Sequence, residues 1–406
     1  MFNKLKKLNL INRILLFFYR INLLEHRLSE LESFIKIDEK DIKLKKFILH
    51  EGNKKKLKGS WKRIENFSGY KRSRGFLSYK GYLFVGFSGG KNSNNGAIKK
   101  FKDNKWTDIQ LPIKTDEIPH IIVHQKMIWF SSFSILNGAS IWCIKNNKPI
   151  LVKNWKNFEG ALPIISFENK LYTSLVPYDK NDNGSPVLSF DGKNWKTIIK
   201  DHPYQNFYEF QIYEGKLFGC TMSSFWGGHV VEINTKNNSW KVVGGNGKNN
   251  SWTKISDMLR FALFENKLFV VGNLPAPENS NSYPNVWAYN GKKWFRSKKI
   301  KNMKAASSTY SFNALTFFEN TLIIGCGGRP AGNARVYALN YDEWYQIGGD
   351  GINNSWSKNI FKTVNYPMTK KATTEYIYNF CIHDNTIITG FGASPNSGQV
   401  WQFVSN

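Results

Sequence analysis

FENKLFVVGNLPAPENSNSYPNVWAYNGKKW, residues 264–294, is the stretch whose reading decides the fold. It runs as a polar turn, an apolar segment, a long polar loop, a second apolar segment, an Asn-Gly turn and a tryptophan. Short apolar runs bounded by Asn, Gly and Lys are strands, and Asn290-Gly291 between VWAY and KKW is the strongest hairpin signal here.

The unit recurs along almost the whole chain. Its turn-and-strand half stands at 79–86 (YKGYLFVG), 124–131 (HQKMIWFS), 167–174 (FENKLYTS), 213–220 (YEGKLFGC), 264–271 (FENKLFVV), 318–325 (FENTLIIG) and 383–390 (HDNTIITG). A third strand follows each copy, ending at Phe101, Ile144, Phe190, Ile233, Tyr289, Leu339 and Phe403. A tight turn and a tryptophan then open a fourth strand at Trp106, Trp195, Trp240, Trp294 and Trp344, with Pro149 in that place in the second copy. The last copy lacks its fourth strand, whereas Trp61-Lys62-Arg63-Ile64 reads as a fourth strand with nothing before it. The expectation is therefore an all-β, seven-bladed β-propeller of four-stranded blades, closed by an N-terminal strand.

The blade resembles a kelch-type repeat. The features that carry this are Gly-Gly after the second strand, as in LFVGFSGG ending at Gly90 and LIIGCGG ending at Gly328, then a V-x-x-apolar strand, then Trp; HVVEINTKNNSW, ending at Trp240, has the closest spacing. The resemblance implies the propeller fold. SFDGKNW at 189–195 is similar to the Asp-box turn of sialidase-like propellers, but Asp191 and Gly192 are adjacent where that motif separates them. A two-residue Asp-Gly hairpin is expected instead.

The 406 residues are 41% hydrophobic and 15% aromatic, enough for a large core and against global disorder. The formal charge is +27, of which residues 1–60 carry +8 from 15 Lys/Arg and 7 Asp/Glu, leaving +19 spread over the rest. That spread reads as solvating lysine or as a positive field for an anionic polymer, and the lack of a helix-turn-helix, zinc-finger or RNP-type signature argues against nucleic acid as a partner. Cys143, Cys220, Cys326 and Cys381 show no C-x-x-C spacing, so free buried thiols are expected. The histidines show no ligand spacing, and neither a metal nor a cofactor is implied; His124 and His383 hold equivalent hairpin positions and read as architectural.

Residues 1–58 form the first expected domain, a helical coiled-coil segment and basic linker, ahead of the propeller at 59–406. Leu10, Ile14, Phe17, Ile21, Leu24, Leu28, Leu31 and Ile35 make a heptad seam, so self-association through residues 10–35 is expected. Leu15, Leu16, Phe18 and Leu23 lie outside the seam, and two other readings compete: peripheral membrane contact by a basic amphipathic helix, and packing on the helix's own domain. Arg13 and Arg20 interrupt the apolar run and argue against a signal peptide or spanning helix, which makes a cytoplasmic location the expectation.

Connections between second and third strands are long and varied, and in a propeller they share one face with the blade-to-blade segments. Binding residues are expected on that face. The candidates are Tyr178, Asp179, Asp182, Trp226, His229, Tyr283 and Arg329 in the loops. Asp350, Trp252 and Trp356 join them from the near-duplicate segments GGNGKNNSW (244–252) and GGDGINNSW (348–356). Those segments read as Gly/Asn turns with Trp covering a blade edge, or as sugar-stacking platforms; one carboxylate is too few for a calcium loop. The function expected is non-catalytic binding of a glycan or protein by a propeller displayed as an oligomer. The alternative is a carbohydrate-active enzyme with paired carboxylates in the funnel.

Overall fold

The structure is a computed structural model describing residues 56–406 except 90–92, 179–183, 201, 203–205, 223–226, 254–256, 274–284, 297–308, 330–333, 341–342, 357–375 and 393–397. The helical seam at 10–35 lies outside the described residues.

Hairpins set the pattern. Glu265 and Asn266 take φ of 45° and 53°, and Glu168-Asn169, Glu319-Asn320 and Asp384-Asn385 are likewise both left-handed. Two consecutive left-handed residues make the type I′ turn, whose twist matches that of the strands it joins. The Asn-Gly and Asp-Gly pairs behave differently from the two-residue expectation. Asn290 Oδ1 accepts the backbone N–H of Lys292 and Lys293, at 3.1 and 3.0 Å, and Asp191 Oδ1 accepts those of Lys193 and Asn194, at 2.8 and 2.7 Å. The side chain thereby closes a four-residue loop in which only Gly291 or Gly192 needs positive φ.

After β1 (Gly59–Asn66), the strands group into antiparallel meanders of four. The first is β2 (Arg72–Tyr79), β3 (Tyr82–Ser88), β4 (Ala97–Lys102) and β5 (Lys105–Ile109). The next is β6 (Glu117–His124), β7 (Met127–Phe133), β8 (Ala139–Lys145) and β9 (Lys148–Trp155). Then come β10 (Phe158–Phe167), β11 (Lys170–Pro177), β12 (Val187–Phe190) and β13 (Trp195–Ile199). They are followed by β14 (Asn206–Tyr213), β15 (Lys216–Met222), β16 (Val230–Asn234) and β17 (Ser239–Gly244). The repeat continues as β18 (Asp257–Phe264), β19 (Lys267–Asn273), β20 (Asn285–Tyr289) and β21 (Trp294–Arg296). After it stand β22 (Thr309–Phe318), β23 (Thr321–Arg329), β24 (Arg335–Asn340) and β25 (Glu343–Gly348). Last are β26 (Tyr376–His383), β27 (Thr386–Gly392) and β28 (Gln399–Ser405), with β1 paired to β28 as the fourth strand.

First strands pack on one another in chain order, β2 on β6 and so on to β26, which packs on β2. This all-β architecture of repeated four-stranded sheets fits a β-propeller-like fold. Among the described residues no helix is long and apolar enough to cross a membrane.

The register shows why β1 belongs where it does. An apolar residue at or near the end of the third strand faces the first tryptophan of the fourth as Phe101↔Trp106, Phe190↔Trp195, Ile233↔Trp240, Tyr289↔Trp294 and Leu339↔Trp344, and in the same way as Phe403↔Trp61. Trp61 also copies the bonding of Trp294. The Trp294 indole donates to the Val243 carbonyl at 2.7 Å and meets Trp252 edge-on at 5.2 Å; the Trp61 indole donates to the Ile347 carbonyl at 2.7 Å and meets Trp356 at 5.3 Å.

Between sheets the core is aliphatic and aromatic, as in the cluster of Ile323, Val336, Ile377, Phe391 and Phe403. Close approach requires glycine at two second-strand positions. A Cβ on Gly325 would sit 2.5 Å from Ile377 Cγ2 of the next sheet, and one on Gly390 would sit 2.1 Å from Ser73 Oγ. The equivalent histidines tie neighbours together: His124 Nδ1 lies 2.7 Å from Ser166 Oγ, and His383 Nδ1 lies 2.9 Å from Ser78 Oγ.

Candidate functional site

Each first strand begins, and each second strand ends, at the end of the molecule that carries the long loops. Near that beginning every first strand breaks register: between Ser73 and Gly75, Glu117 and His120, Ala161 and Ile164, Phe207 and Glu209, Met258 and Arg260, Phe312 and Ala314, and Ile377 and Phe380. A bulge interrupts the in-out alternation and re-aims side chains. Here it brings polar residues from non-neighbouring sheets together.

The Arg74 guanidinium, from β2, lies 4.9 Å from the ring centre of Tyr208 on β14 and 5.4 Å from that of Tyr378 on β26. Arg260, from β18, stands 5.2 Å from the Tyr208 ring and donates through Nε to the Tyr378 carbonyl at 3.3 Å. Contacts between β2 and β14, or β18 and β26, skip intervening sheets, so these side chains meet across the axis around which the first strands pack. Glu117 bonds both Arg72, at 2.9 Å, and Arg74, at 2.6 Å. Glu209 accepts the Phe261 N–H at 2.6 Å.

Burial makes this cluster costly. Arg74 is 5% exposed, Arg260 1%, Glu117 7% and His120 9%, whereas Tyr208 and Tyr378 keep part of their surface open. Arg74 Nε and Nη2 and Arg260 Nη2 find no hydrogen-bond partner among the described residues. Buried donors ordinarily have one. Burial works to raise the Glu117 pKa, but Arg74 and Arg72 overcome it and hold that carboxylate below its usual value of 4.5. Burial, with Arg260 and Arg74 nearby, keeps His120 neutral well below 6.5. Glu209 goes the other way: burial pushes it up to about 7, against the opposing pull of Arg260 and the Phe261 N–H.

A pH dependence follows. The Glu209 carboxyl holds its proton more tightly in the folded chain than in the unfolded chain, where it titrates near 4.5. The stability gained by keeping it neutral is complete below about pH 4.5 and is lost as pH rises through about 7. Glu209→Gln should match the wild type at about pH 3.5 and exceed it by about 3 kcal/mol at about pH 8.5, read from urea midpoints. Equal pH slopes in the two proteins would refute the assignment. His120 has the opposite sign, stabilising above pH 6.5 and costing stability below it, and that slope remains in the variant.

Of the residues expected from sequence, Tyr178, His229, Trp252, Trp356 and Asp350 make their contacts outside this cluster. Tyr178 is 42% exposed, its hydroxyl donating to the Ile135 carbonyl at 2.9 Å. Asp179, Asp182, Trp226 and Tyr283 fall outside the described residues, and Arg329 closes β23. His229 is buried and donates through Nδ1 to the Gly227 carbonyl at 3.0 Å.

The near-duplicate segments fold alike. Gly247 and Gly351 are left-handed at φ of 75° and 79°, and their N–H groups donate to the Trp252 and Trp356 carbonyls at 2.9 and 3.0 Å. Asn249 and Asn353 side chains donate back to the Val243 and Ile347 carbonyls. Trp252 and Trp356, each 4% exposed, donate to the Gly228 and Ala334 carbonyls and leave no ring face for a sugar. Asp350 accepts from Arg335 at 2.8 Å and from Gln346 at 3.2 Å. Among the described residues no cluster of His, Cys, Asp or Glu could hold a metal ion.

No family model matches the chain, and no curated protein matches it. Among solved structures it is similar to a structural genomics protein of unknown function from Bacteroides thetaiotaomicron VPI-5482, at 9% identity and a TM-score of 0.43, over 86% of this chain and 77% of that one.

Proposed function

We propose that the chain is a seven-bladed propeller of degenerate kelch-like sheets, and that it binds a ligand non-catalytically at the axis of the ring. The observation that carries this reading is the axial cluster, in which buried, partly unpartnered donors stand beside two partly open tyrosine rings at the end bearing the long loops. A glycan is the preferred ligand class, because guanidinium donors held in place by partly open tyrosines suit a sugar's hydroxyls. Tyr178 stands on the rim. The seam at residues 10–35 would display the ring in several copies and raise avidity for a repetitive ligand. Sedimentation of the intact chain beside one lacking residues 1–58 tests display, and two monomers would end that part.

A glycan array probed with the full chain at two salt concentrations tests binding. Discrete hits that persist at the higher salt are expected, since buried pairs are screened less than exposed ones. No hits, or a uniform signal on every anionic spot that fades with salt, would overturn it.

A second reading, a carbohydrate-active enzyme, draws on two carboxylates of the cluster held at opposite ends of the carboxyl range, Glu117 low and Glu209 high. Glu117, however, has both oxygens bonded to arginine. Turnover of any array hit that Glu209→Gln abolishes would favour this reading; binding without turnover would end it.

A further inference from the structure

The charge at the axis does not close. Arg72, Arg74 and Arg260 bring three guanidinium groups, against Glu117 and a Glu209 that is half ionised at about pH 7. Between one and two positive charges are left among the described side chains of the cluster. Tyr208 and Tyr378 hold the arginines through their ring faces, at 4.9 to 5.7 Å. Such contacts steady a guanidinium without neutralising it, and they leave its N–H edge available. Among the described residues two elements then present free donors: Arg74 Nε and Nη2 from β2 and Arg260 Nη2 from β18.

We infer that this cluster is the seat of an oxyanion carried by the ligand, held by Arg74 and Arg260 with the Tyr208 ring as its wall. Planar or tetrahedral oxygens accept forked guanidinium bonds, and a buried uncompensated charge is otherwise expensive. The inference rests on the reading of the ring as a binding propeller and narrows the ligand to one bearing a carboxylate, sulfate or phosphate group. Bulk lysine on the surface would attract the same anions weakly and without saturation at one site. The difference is measurable.

The full chain would be titrated by calorimetry and by thermal shift with inorganic sulfate, inorganic phosphate, sodium glucuronate and, as the neutral control, methyl glucoside. Ionic strength is held constant with sodium chloride. At least one oxyanion should bind saturably at one site and raise the melting temperature with its concentration, and methyl glucoside should do neither. Arg260→Met should raise the apparent Kd of that anion at least tenfold, and Arg260→Lys, which keeps the charge but not the fork, should fall between. Glucuronate without inorganic ions would identify an acidic sugar as the source; the inorganic ions without glucuronate would identify a phosphate or sulfate ester. Saturable binding unchanged in a folded Arg260→Met chain, or no saturable oxyanion binding at all, overturns the inference. Should neutral array hits persist in that last case, the oxyanion falls while the binding propeller stands; absence of both removes both. The wild-type titration decides the point even if a variant fails to fold.

Discussion

Glu117→Gln is expected to destabilise the fold by about 3–5 kcal/mol, because it removes the charge that Arg72 and Arg74 share while leaving both arginines in place. Arg74 is 5% exposed and cannot turn to water. Replacing all three members together by apolar residues of similar volume should cost far less, since no uncompensated charge then remains. Urea unfolding of both variants measures the contrast. A small loss for Glu117→Gln would mean that water reaches the axis and screens the pair.

Trp61→Ala and Trp294→Ala should each cost about 3–5 kcal/mol, and by similar amounts. Residue 61 stands at the beginning of the described chain and residue 294 deep within it, yet their surroundings repeat. Each indole donates to a backbone carbonyl of the preceding sheet at 2.7 Å and meets a buried tryptophan edge-on. Position in the sequence would suggest that Trp61 is dispensable; position in the sheet says that it closes the last meander. A near-neutral Trp61→Ala beside a costly Trp294→Ala would show that β1 is a loosely held edge.

The four-strand unit was legible because its signals are local. Glu-Asn and Asp-Asn turns, the apolar second strand and the tryptophan opening the fourth lie within one repeat, and Trp61 repeats the tryptophan of that fourth strand. Local chemistry also misled: Asn290 and Asp191 close four-residue loops with their side chains, where the dipeptides suggested two-residue turns. Trp252 and Trp356 suited a sugar platform by residue type, but burial decides use, and the turn itself engages them.

The axial cluster was harder to see, because Arg74 and Tyr208 belong to strands that are distant in sequence and in ring order. One signal was present. Counted back four positions from each hairpin, the first strands carry Gly75, His120, Pro163, Glu209, Arg260, Ala314 and Asn379, where a strand packed on both sides should be apolar. His120, Glu209, Arg260 and Asn379, polar residues at one level of otherwise apolar strands, mark the level at which the first strands of separate sheets come together.

Affinity for the strongest array ligand, compared between Tyr208→Leu and Lys102→Gln, tests the account most directly. Tyr208→Leu removes the ring between two arginines and leaves every ion pair of the cluster in place; Lys102 ends β4 at the opposite, hairpin end. At least a tenfold loss of affinity, about 1.4 kcal/mol, is expected for Tyr208→Leu and no change for Lys102→Gln. Unaltered binding by a folded Tyr208→Leu chain would contradict it.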